Sequence, residues 1–341
     1  MAEPVLVLEE ASKFFPRPRG ILAALARRPA GEVRAVDRVS LQVAPGEVLA
    51  IVGESGCGKT TAANLMLGLF PTTAGRVLLE GVDLSTLSKK ALRRLRCRLQ
   101  MVFQDPYESL NPRMTVGSIV AEPLRVHRLA GTKVEQAAKV ARALEWAGLR
   151  PADIFLDRRP HELSGGQRQR VVIAAALALE PRVLVADEPV SMLDVSIRAD
   201  ILNLLRALAV EQGIALVMIT HDMSTVAAYS DRIAVMYLGR IVETGPALQV
   251  LRSPHHPYTE ALLSVVPVPH PERRRHRIIL RGETPDPSHL PEGCRFHPRC
   301  PKAFERCPLV DPPLAEAAPG QWAACLLAAD GAWDSAPKGA P

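Results

Sequence analysis

The feature that most constrains the fold is an apolar run that ends in a glycine-rich segment, VLAIVGESGCGKTT at residues 48–61. Residues 48–52 alternate too little for a half-exposed strand and predict a buried parallel strand. The glycines at positions 53, 56 and 58 permit positive φ angles and carry no Cβ, so successive backbone N–H groups can surround phosphate oxygens. With its spacing GxxxxGKT, the segment predicts a phosphate-binding loop between a strand and a helix.

The residue types in this loop suit a nucleoside triphosphate. The helix that begins at Lys59 contributes its positive N-terminal dipole, and the Lys59 side chain can reach the β- and γ-phosphates. The Thr60 hydroxyl is placed to ligate Mg²⁺. We therefore predict ATP or GTP as the ligand, bound by Gly53, Glu54, Ser55, Gly56, Cys57, Gly58, Lys59, Thr60 and Thr61.

The length of 341 residues suffices for one large domain and a smaller one. The net charge of +6 is spread along the chain without a continuous basic block, which favours a solvated surface over binding to nucleic acid or to an anionic membrane face. The longest apolar run, residues 171–179, is about half of the roughly 18 residues that a membrane-spanning helix needs. The N-terminus lacks a basic segment followed by an apolar one, so we expect a cytoplasmic protein.

Two acidic residues follow a second apolar strand, predicted at residues 183–186. Parallel α/β sheets bind their ligands at the carboxyl ends of the strands, so Asp187 and Glu188 are aimed at the ligand edge. We predict that Asp187 holds Mg²⁺ through water and that Glu188 polarises the water that attacks the phosphate.

Gln104 and His221 also follow apolar strands, predicted at residues 99–103 and 214–220. The carboxamide of Gln104 can donate and accept hydrogen bonds, which suits a bridge from Mg²⁺ or the attacking water to a mobile loop. A cap on the strand is the alternative role for Gln104. A histidine at a strand end is commonly structural, but His221 ends a strand of the same predicted sheet.

The segment HELSGGQ, residues 161–167, predicts the start of a second helix whose first backbone N–H groups are accessible to a ligand. Ser164 is a good N-cap and is followed by Gly165, Gly166 and Gln167, so this helix start can also bind an anion. Near the N-terminus, Phe15 can either stack on adenine or pack in the core, and both alternatives stay open from the residues alone.

Five segments in one order carry a family resemblance: residues 53–60, Gln104, residues 163–167, Asp187 with Glu188, and His221. With them, residues 4 to about 250 resemble the ATP-binding subunit of an ABC transporter. The resemblance implies an α/β fold of the P-loop NTPase (RecA-like) type, with an antiparallel β part and a helical subdomain at about 105–165. It also implies ATP and Mg²⁺ as ligands, catalytic roles for Glu188, His221 and Gln104, Mg²⁺ contacts from Thr60, Gln104 and Asp187, and adenine stacking on Phe15.

Further segments are similar to the peptide/nickel importers of this family: VGESGCGKTT, FQDPYESLNPRMTVG, HHPYTEALLSVVP and GCRFHPRCPKAFERCP. An insertion at residues 16–34 suits the second ATPase of the oligopeptide/dipeptide pair. This resemblance implies an ABC ATPase domain at 4–252 and a C-terminal extension at 253–341. It further implies that ATP-driven closure of a dimer powers the import of di- or oligopeptides.

The implied partners are a second ATPase subunit, either a sister chain or a second copy, two integral-membrane permease subunits and an extracytoplasmic peptide-binding protein. A subunit of this kind sits at the cytoplasmic face of the inner membrane. In the dimer, Ser164, Gly165, Gly166 and Gln167 of one subunit would close over the ATP held by its partner. Met192 and Ala175 depart from the family pattern, in which Ala and Arg are usual.

Four of the six cysteines lie close together near the C-terminus: Cys294, Cys300, Cys307 and Cys325. This clustering indicates a local site and not a disulfide framework for the whole chain. Zinc sites commonly use CxxC pairs, which are absent here, whereas four cysteines are the usual ligands of a 4Fe–4S cluster. The subfamily resemblance also implies such a cluster, so we favour it over zinc, disulfides or free thiols.

The main alternative function is that of a non-transport ABC ATPase of the DNA-repair or translation-factor type. Repair ATPases separate the phosphate loop from the LSGGQ segment by a long coiled coil, whereas only about 110 residues separate the two here. Translation factors carry two cassettes in one chain, and this chain carries one. An iron–sulfur redox protein, a third class, would leave the nucleotide motifs unexplained.

Overall fold

The computed structural model describes residues 3–17, 32–266, 277–280, 282–331 and 333. Most of the insertion predicted at residues 16–34 lies outside these described residues. The described chain forms two β-sheets, one of four strands and one of eight, with helices packed against them. The arrangement places the loop that follows residue 52 where both sheets meet.

The smaller sheet is antiparallel and consists of β1 (Leu6–Pro16), β2 (Glu32–Val43), β4 (Ala74–Leu79) and β5 (Val82–Asp83). Its strand order is β2-β1-β4-β5. Alternate residues of β2 are buried from residue 39 to its end, as expected for a sheet with one face on the core and one in water. The inner face packs against the helix that follows the phosphate loop, with Leu6 and Leu79 beside Leu65 in one apolar cluster.

The larger sheet is built around β3 (Val48–Val52), whose residues are all fully buried as the sequence predicts. The other strands are β6 (Leu99–Val102), β7 (Val183–Asp187), β8 (Ala215–Thr220), β9 (Arg232–Tyr237), β10 (Arg240–Pro246), β11 (Ala315–Ala318) and β12 (Gln321–Ala323). The order is β11-β12-β10-β9-β3-β8-β7-β6. The strands from β9 to β6 pair in parallel, so their carboxyl ends share one edge.

The helices are α1 (Lys59–Met66), α2 (Lys89–Leu95), α3 (Pro106–Ser109), α4 (Val116–Val126), α5 (Lys133–Trp146), α6 (Asp153–Leu156), α7 (Gly165–Leu177), α8 (Val195–Gln212), α9 (Met223–Tyr229), α10 (Ala247–Arg252), α11 (Pro257–Ser264) and α12 (Leu326–Ala329). Helix α5 begins with a capping box in which Thr132 and Glu135 satisfy each other's backbone N–H groups. Helices α4, α5 and α7 share a core that includes Val120, Leu144 and Ile173. Within the part of the chain that the structure describes, no helix is both long and apolar enough to cross a bilayer.

The residues beyond 252, predicted above to form a C-terminal extension, are joined to the preceding part of the chain by a strand and by aromatic packing. Strand β12 continues the larger sheet by pairing antiparallel with β10, Glu243 opposite Ala323. The side chain of Phe296 is 1% exposed, and its ring centroid lies 5.2 Å from that of Tyr237 and 5.4 Å from that of Tyr258. Much of the free energy that docks the extension is therefore expected from this aromatic contact.

Replacing Phe296 with Ala tests that expectation. Removing a fully buried Phe leaves a cavity and costs about 3–5 kcal/mol, so the extension should open and become protease-sensitive while the cassette stays folded. Limited proteolysis with mass spectrometry of the fragments measures the effect. Leu309→Ala is the control, because Leu309 lies in the same extension and is 80% exposed. Equal protease resistance of Phe296→Ala and wild type would show that the aromatic contact does not hold the extension.

Candidate functional site

The phosphate loop connects β3 to α1 and lies against two neighbouring backbones. Gly53 and Gly58 have φ angles of +157° and +109°. A Cβ built on Gly53 would lie 2.2 Å from the Met236 carbonyl oxygen, and one on Gly58 would lie 2.1 Å from the Ala35 carbonyl oxygen. Both positions therefore require glycine for two reasons, backbone conformation and close approach. Gly56, at φ +78°, has no atom within 4 Å of the corresponding Cβ position.

Lys59 is the buried cation of this loop. Its Nζ atom donates hydrogen bonds to the carbonyl oxygens of Gly53, at 2.8 Å, and Glu54, at 2.9 Å. A cavity of about 160 Å³ opens beside the loop and is lined by residues 56–61, residues 33–35 of β2, residues 238–239 and Pro287. The predicted loop thus has a cavity, a cation and a helix N-terminus at one place, which is the chemistry that binds phosphate.

Thr60 and Asp187, the two predicted Mg²⁺ ligands at the ends of different elements, are in direct contact. The Thr60 hydroxyl donates to Asp187 Oδ2 at 3.1 Å. Burial raises the pKa of the Asp187 carboxyl, and the nearby Glu188 carboxylate raises it further, while the Thr60 hydrogen bond lowers it. A hydroxyl and a carboxylate are oxygen donors of the type that Mg²⁺ prefers, so this pair fits the ion.

Gln104, Glu188 and His221 come together at the carboxyl ends of β6, β7 and β8. The Gln104 Nε2 atom donates to Glu188 Oε2 at 3.2 Å, and His221 Nδ1 lies 2.9 Å from Glu188 Oε1. In this arrangement the amide of Gln104 points to Glu188 and not to the Thr60–Asp187 pair. The sequence predicted all three positions from strand ends, but not these mutual contacts.

The backbone of Glu188 adopts an unusual conformation. Its φ angle is +45°, in the left-handed region that non-glycine residues seldom occupy. The strain is of the order of 1–3 kcal/mol and must be held by neighbours. The Glu188 N–H donates to the Ile219 carbonyl oxygen at 2.9 Å, and the Ser191 N–H and hydroxyl both donate to the Glu188 carbonyl oxygen. These bonds hold the backbone of Glu188 in this conformation.

The LSGGQ segment forms the start of α7. Ser164 Oγ accepts from the Gln167 N–H at 3.3 Å, and the Ser164 N–H donates to Gln167 Oε1 at 3.0 Å, which closes a capping box. A Cβ on Gly166 would lie 2.6 Å from a methyl of Ile197, so glycine allows α7 and α8 to approach. Among the described residues, no hydrogen bond joins this segment to the phosphate loop of the same chain.

Phe15 lies on β1 opposite Val33 of β2, a residue that lines the cavity beside the phosphate loop. Its half-buried ring meets Phe70 edge-on, with centroids 5.6 Å apart, and Lys13 Nζ lies 5.3 Å from the ring centroid. The ring is thus near the cavity wall but also packed against a neighbour. Its role in stacking on adenine stays a prediction.

The four tail cysteines occupy one region, and each of the six cysteines has a free thiol. The Cys294 N–H donates to the Cys307 carbonyl oxygen at 2.9 Å. Burial, together with the charges of the other tail thiolates, raises the pKa of Cys294 to about 11 and that of Cys300 to about 12. Within the described ranges, however, no group of three or more His, Cys, Asp or Glu side chains is arranged to hold a metal ion. The side chains as placed therefore do not form a ready cluster site.

Local sequence patterns predict no role for three residues that contact Glu54 of the phosphate loop: Tyr258, Thr284 and Arg299. The Tyr258 hydroxyl accepts from the Glu54 N–H, and Thr284 and Arg299 both donate to the Glu54 carboxylate. Tyr258 and Arg299 belong to the segments HHPYTEALLSVVP and GCRFHPRCPKAFERCP, which carried the subfamily resemblance. Their presence in those segments was the only signal available from the sequence.

Comparison with known proteins gives two family matches: ABC transporter over residues 36–191, and oligopeptide/dipeptide transporter, C-terminal region, over residues 242–307. The chain is 48% identical to a probable peptide ABC transporter ATP-binding protein, y4tS of Sinorhizobium fredii, over 97% of this chain and 92% of the relative. It is 47% identical to the oligopeptide transport ATP-binding protein AppF of Bacillus subtilis, over 95% of this chain and 98% of the relative.

A solved structure of the ATP-binding cassette MJ0796, a dimer in a post-hydrolysis state bound to ADP and Pi, is also similar. Its TM-score is 0.60 at 30% identity, and the match covers 71% of this chain and 98% of that one. The predicted P-loop NTPase fold of the cassette, with mixed α/β sheets, is confirmed, and the non-transport alternative is not favoured. The chain belongs to the ABC transporter family of ATP-binding subunits, in the group that carries the oligopeptide/dipeptide transporter C-terminal region.

Proposed function

We propose that this chain hydrolyses ATP to power the import of di- or oligopeptides through a membrane permease. The observation that carries the proposal is the gathering of Lys59, Thr60 and Asp187 with the Gln104–Glu188–His221 group at one edge of the parallel sheet. This edge is where α/β sheets bind ligands. Two relatives that are nearly half identical over almost the whole chain are a probable peptide transporter subunit and an oligopeptide transport subunit, and they suggest peptides as the solute.

In the proposed reaction, Glu188 is the general base. One of its carboxylate oxygens accepts a proton from the attacking water, while Gln104 and His221 hold the carboxylate through one contact to each oxygen. The backbone N–H groups of the loop and Lys59 bind the phosphates. Thr60 and Asp187 would hold Mg²⁺, with Gln104 as its third predicted contact, and the ion would supply neutralisation of charge on the phosphate oxygens. Phe15 would stack on the adenine.

The LSGGQ segment acts on the nucleotide of a partner subunit in this proposal. Its helix start has backbone N–H groups suited to an anion, yet no hydrogen bond links it to its own phosphate loop among the described residues. The dimeric MJ0796 cassette supports such a pairing. The partner is either a second copy or a sister ATPase. Met192, 58% exposed, replaces the usual Ala near this contact and would alter packing between the subunits.

The remaining parts of the assembly follow from the same proposal. Residues 4–252 form the ATPase domain, with helices α3–α6 in the helical subdomain at about 105–165, and residues 253–341 form the extension. Two integral-membrane permease subunits would dock on the cassette at the cytoplasmic face of the inner membrane. An extracytoplasmic peptide-binding protein would deliver the solute. No nucleic acid takes part.

We also propose that Cys294, Cys300, Cys307 and Cys325 bind a 4Fe–4S cluster. The support is the gathering of four thiols in a loop-rich segment and the preference of such clusters for four cysteines. The side chains would have to turn toward a common centre, because the described residues do not present a closed group of ligands. Zinc is the alternative ligand of the same thiols.

Glu188→Gln tests the catalytic role. The amide keeps the size of the side chain but cannot accept the proton, so ATP hydrolysis should fall by about 10²–10⁴-fold while ATP binding is retained. Phosphate release at saturating ATP measures the loss. Glu211→Gln, an exposed change on α8, should leave the rate unchanged. Near-normal hydrolysis in Glu188→Gln would remove this residue from the catalytic role.

Ser164→Ala tests the contribution to the partner's site. ATP binding by the isolated subunit should be unchanged, whereas ATP-dependent dimerisation should weaken about tenfold or more through loss of one bond to a charged phosphate. Size-exclusion chromatography in the Glu188→Gln background measures dimerisation, and Lys59→Ala provides the contrast by removing binding in the monomer. A loss of monomer binding in Ser164→Ala as large as that in Lys59→Ala would contradict the role in the partner's site.

Iron content tests the cluster. Full-length protein purified without oxygen should be brown, absorb broadly near about 400 nm and contain about four irons per chain. Cys300→Ser should lose most of that iron, whereas Cys97→Ser, outside the tail, should keep it. A colourless protein with one zinc per chain would establish the zinc alternative.

A further inference from the structure

The side chain of Glu54, the second residue of the phosphate loop, makes its contacts with the C-terminal extension. Its Oε2 atom accepts from Arg299 Nη1 at 2.8 Å and from the Thr284 hydroxyl at 2.7 Å, and its Oε1 atom accepts from Arg299 Nη2 at 3.2 Å. The Arg299 side chain is 9% exposed and that of Glu54 is 26% exposed. This is a bidentate, partly buried contact of the kind that fixes orientation.

The main chain of the same residue connects this contact to the phosphate-binding cation. The Glu54 carbonyl oxygen accepts from Lys59 Nζ at 2.9 Å, and the Glu54 N–H donates to the hydroxyl of the fully buried Tyr258 at 2.8 Å. Glu54 is therefore held on its N–H and its carboxylate by residues beyond position 252, and on its carbonyl by the loop lysine. A displacement of Glu54 would displace the loop.

Arg299 is itself held by structure, so it can act as a fixed support. It ends a short 3₁₀ turn, His297–Arg299, in which its N–H donates to the carbonyl oxygen of the buried Phe296 at 3.0 Å. Its guanidinium lies 6.0 Å from the Tyr237 ring centroid. The extension also supplies Pro287 to the wall of the cavity beside the loop.

Charge gives Arg299 a second effect. A carboxylate inside an anion-binding loop repels phosphate, because like charges interact more strongly where water is partly excluded. Arg299 compensates the charge of Glu54 by donating to both oxygens of its carboxylate. Both the geometry and the charge balance of the loop thus depend on a residue of the extension.

We propose that Arg299 of the C-terminal extension is a positioning residue for ATP binding, acting through Glu54 to hold the phosphate loop in its binding shape. The extension thereby contributes a residue that positions the nucleotide site of its own chain. The inference rests on the ATP binding proposed above for the same loop. It requires neither a metal in the extension nor a particular transported solute.

The test compares Arg299→Ala with wild type in the full-length chain. The Kd for a fluorescent ATP analogue and the KM for ATP should rise about three- to tenfold, because the pair is partly exposed to solvent. The kcat should change less than about twofold, because Arg299 binds Glu54 and not the proposed general base Glu188. Arg299→Lys keeps the charge but loses the bidentate contact, so its affinity for ATP should lie between those of Arg299→Ala and wild type. Thr284→Ala should give a smaller rise in KM, since it removes one hydrogen bond.

A double substitution separates positioning from a general loss of structure. With Glu54→Gln, the carboxylate charge is absent, so adding Arg299→Ala should change KM by less than about twofold. Arg306→Ala is the control in the extension: Arg306 pairs with Asp330 at the surface, and its removal should leave KM unchanged. Thermal unfolding of each variant shows whether folding is retained.

The outcomes distinguish this inference from the function on which it rests. If wild type binds and hydrolyses ATP while Arg299→Ala has the same KM and Kd, the positioning role is wrong and the ATPase stands. An effect of Arg299→Ala that is undiminished in the Glu54→Gln background would also overturn it. A wild-type chain that does not bind ATP would overturn both proposals together.

Discussion

The close approach of the phosphate loop to two neighbouring backbones is the constraint on which the rest of the structure depends. Gly58 lies against the Ala35 carbonyl oxygen of β2, and Gly53 lies against the Met236 carbonyl oxygen of β9. The Gly239 N–H then donates to the Cys57 carbonyl oxygen at 2.8 Å. Because β2 belongs to the smaller sheet and β9 to the larger one, the phosphate loop contacts both sheets and joins them.

The parallel strands of the larger sheet place the other candidate site residues beside the phosphate loop. Its strands lie in the order β3-β8-β7-β6, so the phosphate loop, His221, the two acidic residues and Gln104 follow neighbouring strands at one edge. Each side chain is placed by a buried strand, and the strained backbone of Glu188 is held by bonds to Ile219 and Ser191. Rigid strands therefore supply the positioning that the chemistry needs.

Much of this edge could be predicted from sequence because its signals are local. An apolar run followed by a polar residue identifies a buried strand and its end, as for β3, β7 and β8. The mutual contacts of Gln104, Glu188 and His221 could not be predicted, because they depend on strand order. The pairing of Glu54 with Arg299 could not be predicted from any local pattern, since 245 positions separate the two residues. Strand β12 has only three residues and carries no recognisable alternation.

The pairing of β12 with β10 has a consequence for solubility. Without β12, the larger sheet would end at β10, a strand whose residues 241–245 are all buried in the folded chain. An open edge of that kind is a template for pairing with other chains. In the fold as it stands, the outermost strand is instead β11, four residues long with the exposed Glu316 in it. A short edge strand bearing a charge is a common protection against aggregation, so the extension shields the sheet from self-association.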